Sequence, residues 1–379
     1  MVASTALLER GFSEVKRLCY GGLDAPTLLR AVAARVERVA PFDAYCAQTN
    51  DPVSGLLTQV LTTEAFGDHE HRQYLEQIYF QEDRDEQRKM LWNRIPVVRL
   101  SDVTGGNLDR ALRYRELTHP LGLGYEALAI CAVGRKQWGG INFIRERRRS
   151  DFDAREVALL RRLAPHIGAG LQMAALRALA IVKLEADSVP GVLVLNDRGQ
   201  VAQHTEAAER YLRELDDLGP GWLEGHGLPT PVWIAVGALR RALAPETDRD
   251  LHTAPHVCVQ TRAGRWLTLH GARTFSQGGR QGVTTVVIEP SRPHELAWLR
   301  ASAYGLSERE RVVVDHVARG ASTKEIAGAM FISEYTVQEH LSHIFDKVGA
   351  RGRQTLIQRL FFDHLAPGIG SLSEDDAPR

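Results

Sequence analysis

Apolar residues recur three and four positions apart over residues 27–39, with arginines between them, which predicts an amphipathic helix that Pro41 stops. Residues 43–49 and 56–61 read as short strands about an Asn50-Asp51-Pro52 turn, and residues 70–81 as a helix. Residues 108–118 form a further helical pattern, terminated by Gly122-x-Gly124, which lacks the third glycine of a dinucleotide fingerprint. The apolar run at 126–133 suits a sheet centre and pairs with 140–144 as a hairpin. A long helical pattern opens near residue 154, capped either by Ser150 with Asp153 or by Asp153 with Glu156, and continues to Leu184. Within it Leu160, Ile167, Ala174 and Ile181 recur every seven residues, with Leu171 and Ala178 between, a short seam kinked or interrupted at Pro165. Such a seam fits packing on its own domain and fits an interchain contact.

A second α+β pattern follows. Residues 191–196 and 200–203 flank an Asp197-Arg198-Gly199 turn, residues 256–262 and 265–274 flank Ala263-Gly264, and 284–289 closes the set. Helices are expected at 206–215 and 233–243. From Leu306 to Phe362 the strands cease and the chain becomes wholly helical, with Pro290 and Pro293 marking the upstream boundary. The expected organisation is a lead at 1–25, an α+β domain with its connecting helix at 26–184, and a second α+β domain at 187–290. An all-α four-helix domain at 301–363, able to fold by itself, and a disordered tail at 364–379 complete it.

A chain of 379 residues has room for two or three such domains, and 44% hydrophobic with 25% charged residues excludes a mostly disordered polymer. Lys+Arg and Asp+Glu number 47 each, so any nucleic-acid surface must be local. Residues 301–363 themselves carry 8 Lys/Arg and 8 Asp/Glu. The cysteines, Cys19, Cys46, Cys131 and Cys258, have no metal or disulfide spacing, which fits a reducing cytosol. Apolar runs fall far short of the roughly 20 residues of a membrane helix, and a signal-peptide pattern is lacking, so a cytoplasmic protein without membrane partners is expected. Neither a P-loop nor receiver-type aspartates nor a nucleophile paired with a base stands out, so no enzyme and no cofactor is expected; an upstream enzyme with a DNA-binding tail is the weaker reading. His252, His256 and His270 could suggest a haem or metal site, but Pro255 breaks helical spacing between the first two, which favours surface or turn histidines. Cys131 reads as a core thiol, and Arg145, Arg147, Arg148 and Arg149 as a solvated loop.

The helical block carries the chemistry. Ser307-x-x-Glu310 and Ser322-x-x-Glu325 are capping boxes, Gly320 and Gly349 are helix stops, and Ser333 can cap a helix at 334–348 after a tight Phe331-Ile332-Ser333 connection. Residues 355–362 supply a fourth helix. Ile326, Ala327, Met330, Val337, Leu341 and Ile344 fall on inward faces, and the short turn between two such helices predicts a helix-turn-helix. Leu306-Ser307-x-Arg309-Glu310, Lys324-Glu325-Ile326-Ala327, Ile332-Ser333, Thr336-Val337, His340 and Lys347-Val348-Gly349 stand in fixed register over about 60 residues. The block thereby resembles the DNA-binding domain of the LuxR/FixJ/GerE family of transcription regulators.

The resemblance implies that Lys324, Ser333, Thr336, Val337, Gln338, Glu339, His340, Ser342, Lys347 and Arg351 meet double-stranded promoter or operator DNA. Gln338 departs from the family's usual lysine. A glutamine can pair with adenine through two hydrogen bonds, and Glu339 can accept from cytosine or sit at the rim. Lys347, Arg351, Arg353 and Arg359 follow without an intervening acid and, with Lys324, can meet phosphates or remain a solvated surface. Upstream, the opening amphipathic helix, the 126–144 hairpin and the helix after Asp153 are similar to a GAF domain. GVLVLNDRGQV, Glu206-Ala207-Ala208-Glu209 and Gly264-Arg265-Trp266-Leu267 are similar to a PAS domain. These resemblances imply sensory domains with an unnamed ligand, a homodimer and RNA polymerase as a further partner. The competing assignment keeps the DNA module and makes the upstream region an acyl-homoserine-lactone receptor, a class that Ala164-Pro165-His166 also resembles.

Overall fold

The computed structural model describes residues 5–63, 95–180, 189–196, 199–215, 228–243, 256–261, 264–275 and 282–362. The helix expected at 70–81, His252, Ile181 and the tail beyond 363 lie outside these residues. The chain divides into two compact units, Met1–Ala175 with Ser188–Glu289, and Leu176–Asp187 with Pro290–Arg379.

In the first unit, helices α1 (Thr5–Cys19) and α2 (Ala25–Val36) precede strands β1 (Ala44–Asn50) and β2 (Leu57–Thr62). Asp24 caps α2 through the backbone N–H of Thr27 at 2.9 Å. Then come β3 (Val97–Arg99), a short helix α3 (Leu100–Val103), the hairpin β4 (Leu123–Val133) and β5 (Lys136–Glu146), and the long α4 (Ala154–Ala180). These five strands form a sheet in the order β2-β1-β5-β4-β3. The rest of the unit repeats the scheme with β6 (Gly191–Leu195), β7 (Val201–His204), helices α5 (Glu206–Glu214) and α6 (Thr230–Ala242), then β8 (His256–Gln260), β9 (Trp266–Phe275) and β10 (Gly282–Pro290). Its sheet order, β7-β6-β10-β9-β8, is the first sheet's order again when each set is numbered from its own start. Leu57 and Val60 of β2 join Trp233 and Ala235 of α6 and Leu269 of β9 in one continuous core.

Asp153 opens α4: its carboxylate accepts from the N–H groups of Arg155 and Glu156, and Glu156 accepts from Asp153 N–H at 2.8 Å. The helix runs through Pro165 without interruption. Pro165 lies on the exposed face, where water can satisfy the carbonyl that its ring leaves without a partner. Leu160, Ile167, Leu171 and Ala174 are buried within the chain, so this seam packs on its own unit. Gly168 makes the approach feasible, since a Cβ there would stand 2.8 Å from the backbone nitrogen of Ala132. His166 hydrogen-bonds Tyr20 at 2.9 Å and meets Phe12 edge-on, which gives it a packing role.

Two expectations are corrected. Residues 108–118 do not form one helix: Ala111 is extended (φ −86°, ψ 123°) between a 3-10 turn, Leu108–Arg110, and a π-turn, Tyr114–Thr118. The extended residue re-aims the second turn so that Arg113 (2.6 Å) and Thr118 (3.4 Å) reach the buried carboxylate of Glu126, which Asn142 also meets at 2.7 Å. Arg145 is not part of a solvated loop. It is 5% exposed, lies over the Phe152 ring and ties Pro41, Ser150, Asp151 and Glu156 together. Its neighbours Arg148 and Arg149 do face solvent. Cys131 is a core thiol, and burial raises its pKa well above the ordinary thiol range.

The second unit contains the end of α4 and helices α7 (Pro293–Ala303), α8 (Glu308–Ala318), α9 (Thr323–Met330), α10 (Glu334–Val348) and α11 (Arg353–Ile357), the last continued by a π-turn, Gln358–Phe362. Its core gathers Ala301, Val313, Val314, Val317, Ile326, Val337, Leu341, Ile344, Leu356 and Leu360. Arg300, 4% exposed, donates to the carbonyls of Leu360 and Leu179, each at 3.1 Å, holding a cation against two helix ends.

Candidate nucleic-acid interface

Three serines set the frame. Ser307, Ser322 and Ser333 cap α8, α9 and α10, accepting from the backbone N–H groups of Glu310, Glu325 and Thr336 at 3.3, 3.3 and 3.0 Å. Glu310 and Glu325 accept in return from Ser307 and Ser322 N–H at 2.6 and 2.7 Å, completing both boxes. Helix α9 ends on Phe331 in the left-handed region (φ 55°, ψ 45°), and Ser333 starts α10 two residues later. At the far end Gly349 takes φ 69°, a conformation a side chain would strain.

Register then sorts the α10 side chains. Val337, Leu341, Ile344 and Val348 recur at helical spacing and are buried. Gln338, Glu339 and Ser342 therefore lie on the opposite face and are exposed, while Thr336 and His340 sit half-buried at its edge. Ser333 is exposed at the cap, and Lys324 and Arg351 are exposed on α9 and just beyond α10. Val337 is the exception among the expected contacts. It is fully enclosed and its N–H bonds the Ser333 carbonyl at 3.1 Å, so it packs the core and is closed to a ligand. Met330, expected inward, is only half-buried.

Much of the basic run serves the module itself. Lys347 Nζ donates to both carboxylate oxygens of Glu310, at 2.8 and 2.7 Å, locking the C-terminal half of α10 to the start of α8. Burial pushes the Glu310 carboxyl up, but the Lys347 ammonium and the bonds from Ser307 outweigh it, and the net is a lowered pKa. Arg359 donates to the Val348 carbonyl at 2.7 Å. Arg353 donates to the Ala321 carbonyl at 2.5 Å and to Thr323 Oγ1 at 2.9 Å.

That last contact reaches the outer face. Gln338 Nε2 donates to the same Thr323 Oγ1 at 3.3 Å, so Thr323, held by Arg353, orients the amide. Sequence reasoning missed Thr323; the only signal was Arg353 in the basic run. It also missed two aromatics at the entrance to α10, Phe331 and Tyr335, which are 95% and 72% exposed. The assembled surface offers an amide, a carboxylate and hydroxyls on a helix face. These are the group types that hydrogen-bond base edges.

Residues 305–360 match the family described as "Bacterial regulatory proteins, luxR family". The probable HTH-type transcriptional regulator GfsR of Streptomyces halstedii is 30% identical over 118 residues, 30% of this chain and 49% of that one, so the chain spans about half the length of this relative. A chain of the Vibrio cholera VqmA–ligand–DNA complex aligns at 17% identity over 46% of this chain and 84% of its own, with a TM-score of only 0.22. The spore germination protein GerE of Bacillus subtilis (strain 168) is 42% identical over 55 residues, 14% of this chain and 74% of its own length. Through these C-terminal residues, the chain belongs to the luxR family of bacterial regulatory proteins.

Proposed function

We propose that this protein is a sequence-specific DNA-binding transcription regulator that places the N-terminal half of α10 in the major groove. The observation that carries the proposal is the division of that helix, with Val337, Leu341 and Ile344 enclosed and Gln338, Glu339 and Ser342 outward. In this reading Gln338 and Glu339 read bases, while Lys324 and Arg351 meet phosphates. Lys347 first braces Glu310, and its half-exposed side chain lies at the edge of the contact. The two five-stranded antiparallel sheets with flanking helices support GAF-like and PAS-like sensory domains upstream. A homodimer on a two-fold-symmetric operator, RNA polymerase as a further partner and a cytoplasmic location belong to the same proposal. No helix among the described residues is long and apolar enough to cross a membrane.

Selection of bound sequences from random duplex DNA by the full chain tests it. An enriched, two-fold-related motif is expected, with Gln338→Ala blurring one position in each half-site. Uniform retention of all sequences, with affinity set by salt alone, refutes it.

A further inference from the structure

Two histidines that look scattered in the sequence stand side by side in the fold. His256 on β8 and His270 on β9 are directly opposed in the antiparallel ladder, so their side chains share one face. Their rings lie 5.7 Å apart, tilted by 33°. On β10, the strand next to β9, the Glu289 carboxylate comes to 3.6 Å from His270 Nε2. Two imidazoles and a carboxylate thus form a row across three adjacent strands of the second sheet.

The separations have a chemical meaning. A distance of 3.6 Å is longer than a normal N–H···O hydrogen bond. It is close to the spacing of two donor atoms on one tetrahedral cation: with metal–ligand bonds of about 2.0–2.1 Å, those atoms stand about 3.4 Å apart. Each imidazole centre lies roughly 1.2 Å beyond its nitrogen, which puts two rings on one ion about 5 Å apart. The observed ring separation is 5.7 Å, close to that value, and the His256 ring must turn toward the other two groups before all three meet one ion. The His270 and Glu289 side chains are 36% and 17% exposed, which leaves a path for an ion while the sheet fixes their backbones.

We propose that His256, His270 and Glu289 bind a divalent first-row cation of the zinc class. Two imidazole nitrogens and one carboxylate oxygen suit such an ion better than the soft thiolate-seeking or the all-oxygen cations. Three protein ligands leave a fourth position for water or a small ligand. Because β8 is an edge strand, the ion would pin it through β9 to β10, and binding would stabilise this sheet.

The test uses the full chain with cobalt(II) as a spectroscopic probe and zinc in calorimetry. One equivalent of cobalt should give the visible bands of a tetrahedral nitrogen–oxygen site without a thiolate charge-transfer band, and zinc should raise the melting temperature. His270→Ala should abolish the bands. Glu289→Gln, which keeps the side chain's shape, should weaken zinc by more than the roughly 10–100-fold typical of outer partners. Unchanged circular dichroism of both metal-free variants ties the loss to ligation. Three outcomes overturn the proposal: no stoichiometric cobalt binding, a thiolate band that implicates Cys258 on the same strand, or binding that survives in a His256→Ala, His270→Ala double variant.

Discussion

Replacing Lys347 with methionine tests whether this cation belongs to the fold of the module as well as to its surface. The variant keeps the aliphatic stem and removes two contacts of 2.8 and 2.7 Å to a carboxylate that is 4% exposed. A hydrogen bond to a charged group contributes roughly 1.5–3 kcal/mol when shielded. The Lys347 side chain is 39% exposed, and water screens it, so about 2 kcal/mol is the expected cost. At about 1.4 kcal/mol per factor of ten, that is a ~30-fold loss of hydrogen-exchange protection in α8 and α10 of the full chain at neutral pH. Acid supplies the control. Glu310 has a lowered folded pKa, so its contribution is complete above the unfolded value of about 4.3 and is lost as pH falls through the folded value. The gap in protection between wild type and Lys347→Met should therefore close in acid. Protection unchanged at neutral pH, or a gap of constant size down to acid, refutes the brace.

Gln338→Ala should lose about 1–3 kcal/mol on the selected operator and little on scrambled duplex; equal losses in titrations on both would remove it from base reading. Thr323→Ala should reproduce part of that loss by releasing the amide, with the melting temperature near wild type, whereas an unchanged preference would show that Gln338 orients itself. Phe331→Gly should raise stability in urea by roughly 0.5–1 kcal/mol, because a left-handed non-glycine residue costs about 1–2 kcal/mol and a 95% exposed ring returns no packing. A drop in the urea midpoint would mean that the ring supports the turn. Gly168→Ala should destabilise the first unit by about 1–3 kcal/mol in thermal melts, since its Cβ would press on backbone atoms of Cys131 and Ala132 at 2.8–2.9 Å; a neutral outcome would show that α4 can shift.

What could be read from the sequence was local. The capping boxes at Ser307 and Ser322, the cap at Ser333 and the stop at Gly349 satisfy helix ends within three or four residues, so α8, α9 and α10 were legible almost to the residue, whereas α7, which precedes them, was not. The hairpins were legible for the same reason, their turns being short. Groups paired across sequence were not. Glu126 draws Arg113 from 13 residues away and Asn142 from 16, and Lys347 meets Glu310 across 37. No periodicity encodes such partners, and the broken helix at 108–118 accompanies the first of them. His256 and His270 form an intermediate case. β8 and β9 follow each other closely in sequence, but only a fixed register sets the two rings opposite each other.

The same long-range pairs change the physical account of recognition. A basic run of four at the end of α10 looks in sequence like a ready electrostatic footprint. Lys347, Arg353 and Arg359 instead hold Glu310, Thr323 and the Val348 carbonyl, so that α10 is tied to α8, α11 to α9, and the closing π-turn to α10. With those cations engaged in a module whose charges sum to zero, the proposed DNA complex should show only a modest salt dependence. In the proposed reading, discrimination falls on the outward groups of α10, and above all on Gln338, whose amide donates to Thr323 of α9. Two modules acting together on a symmetric site would supply by geometry what one lacks in charge. The proposed dimer fits this binding mode, because a second module doubles the phosphate contacts proposed for Lys324 and Arg351 while the bases are read.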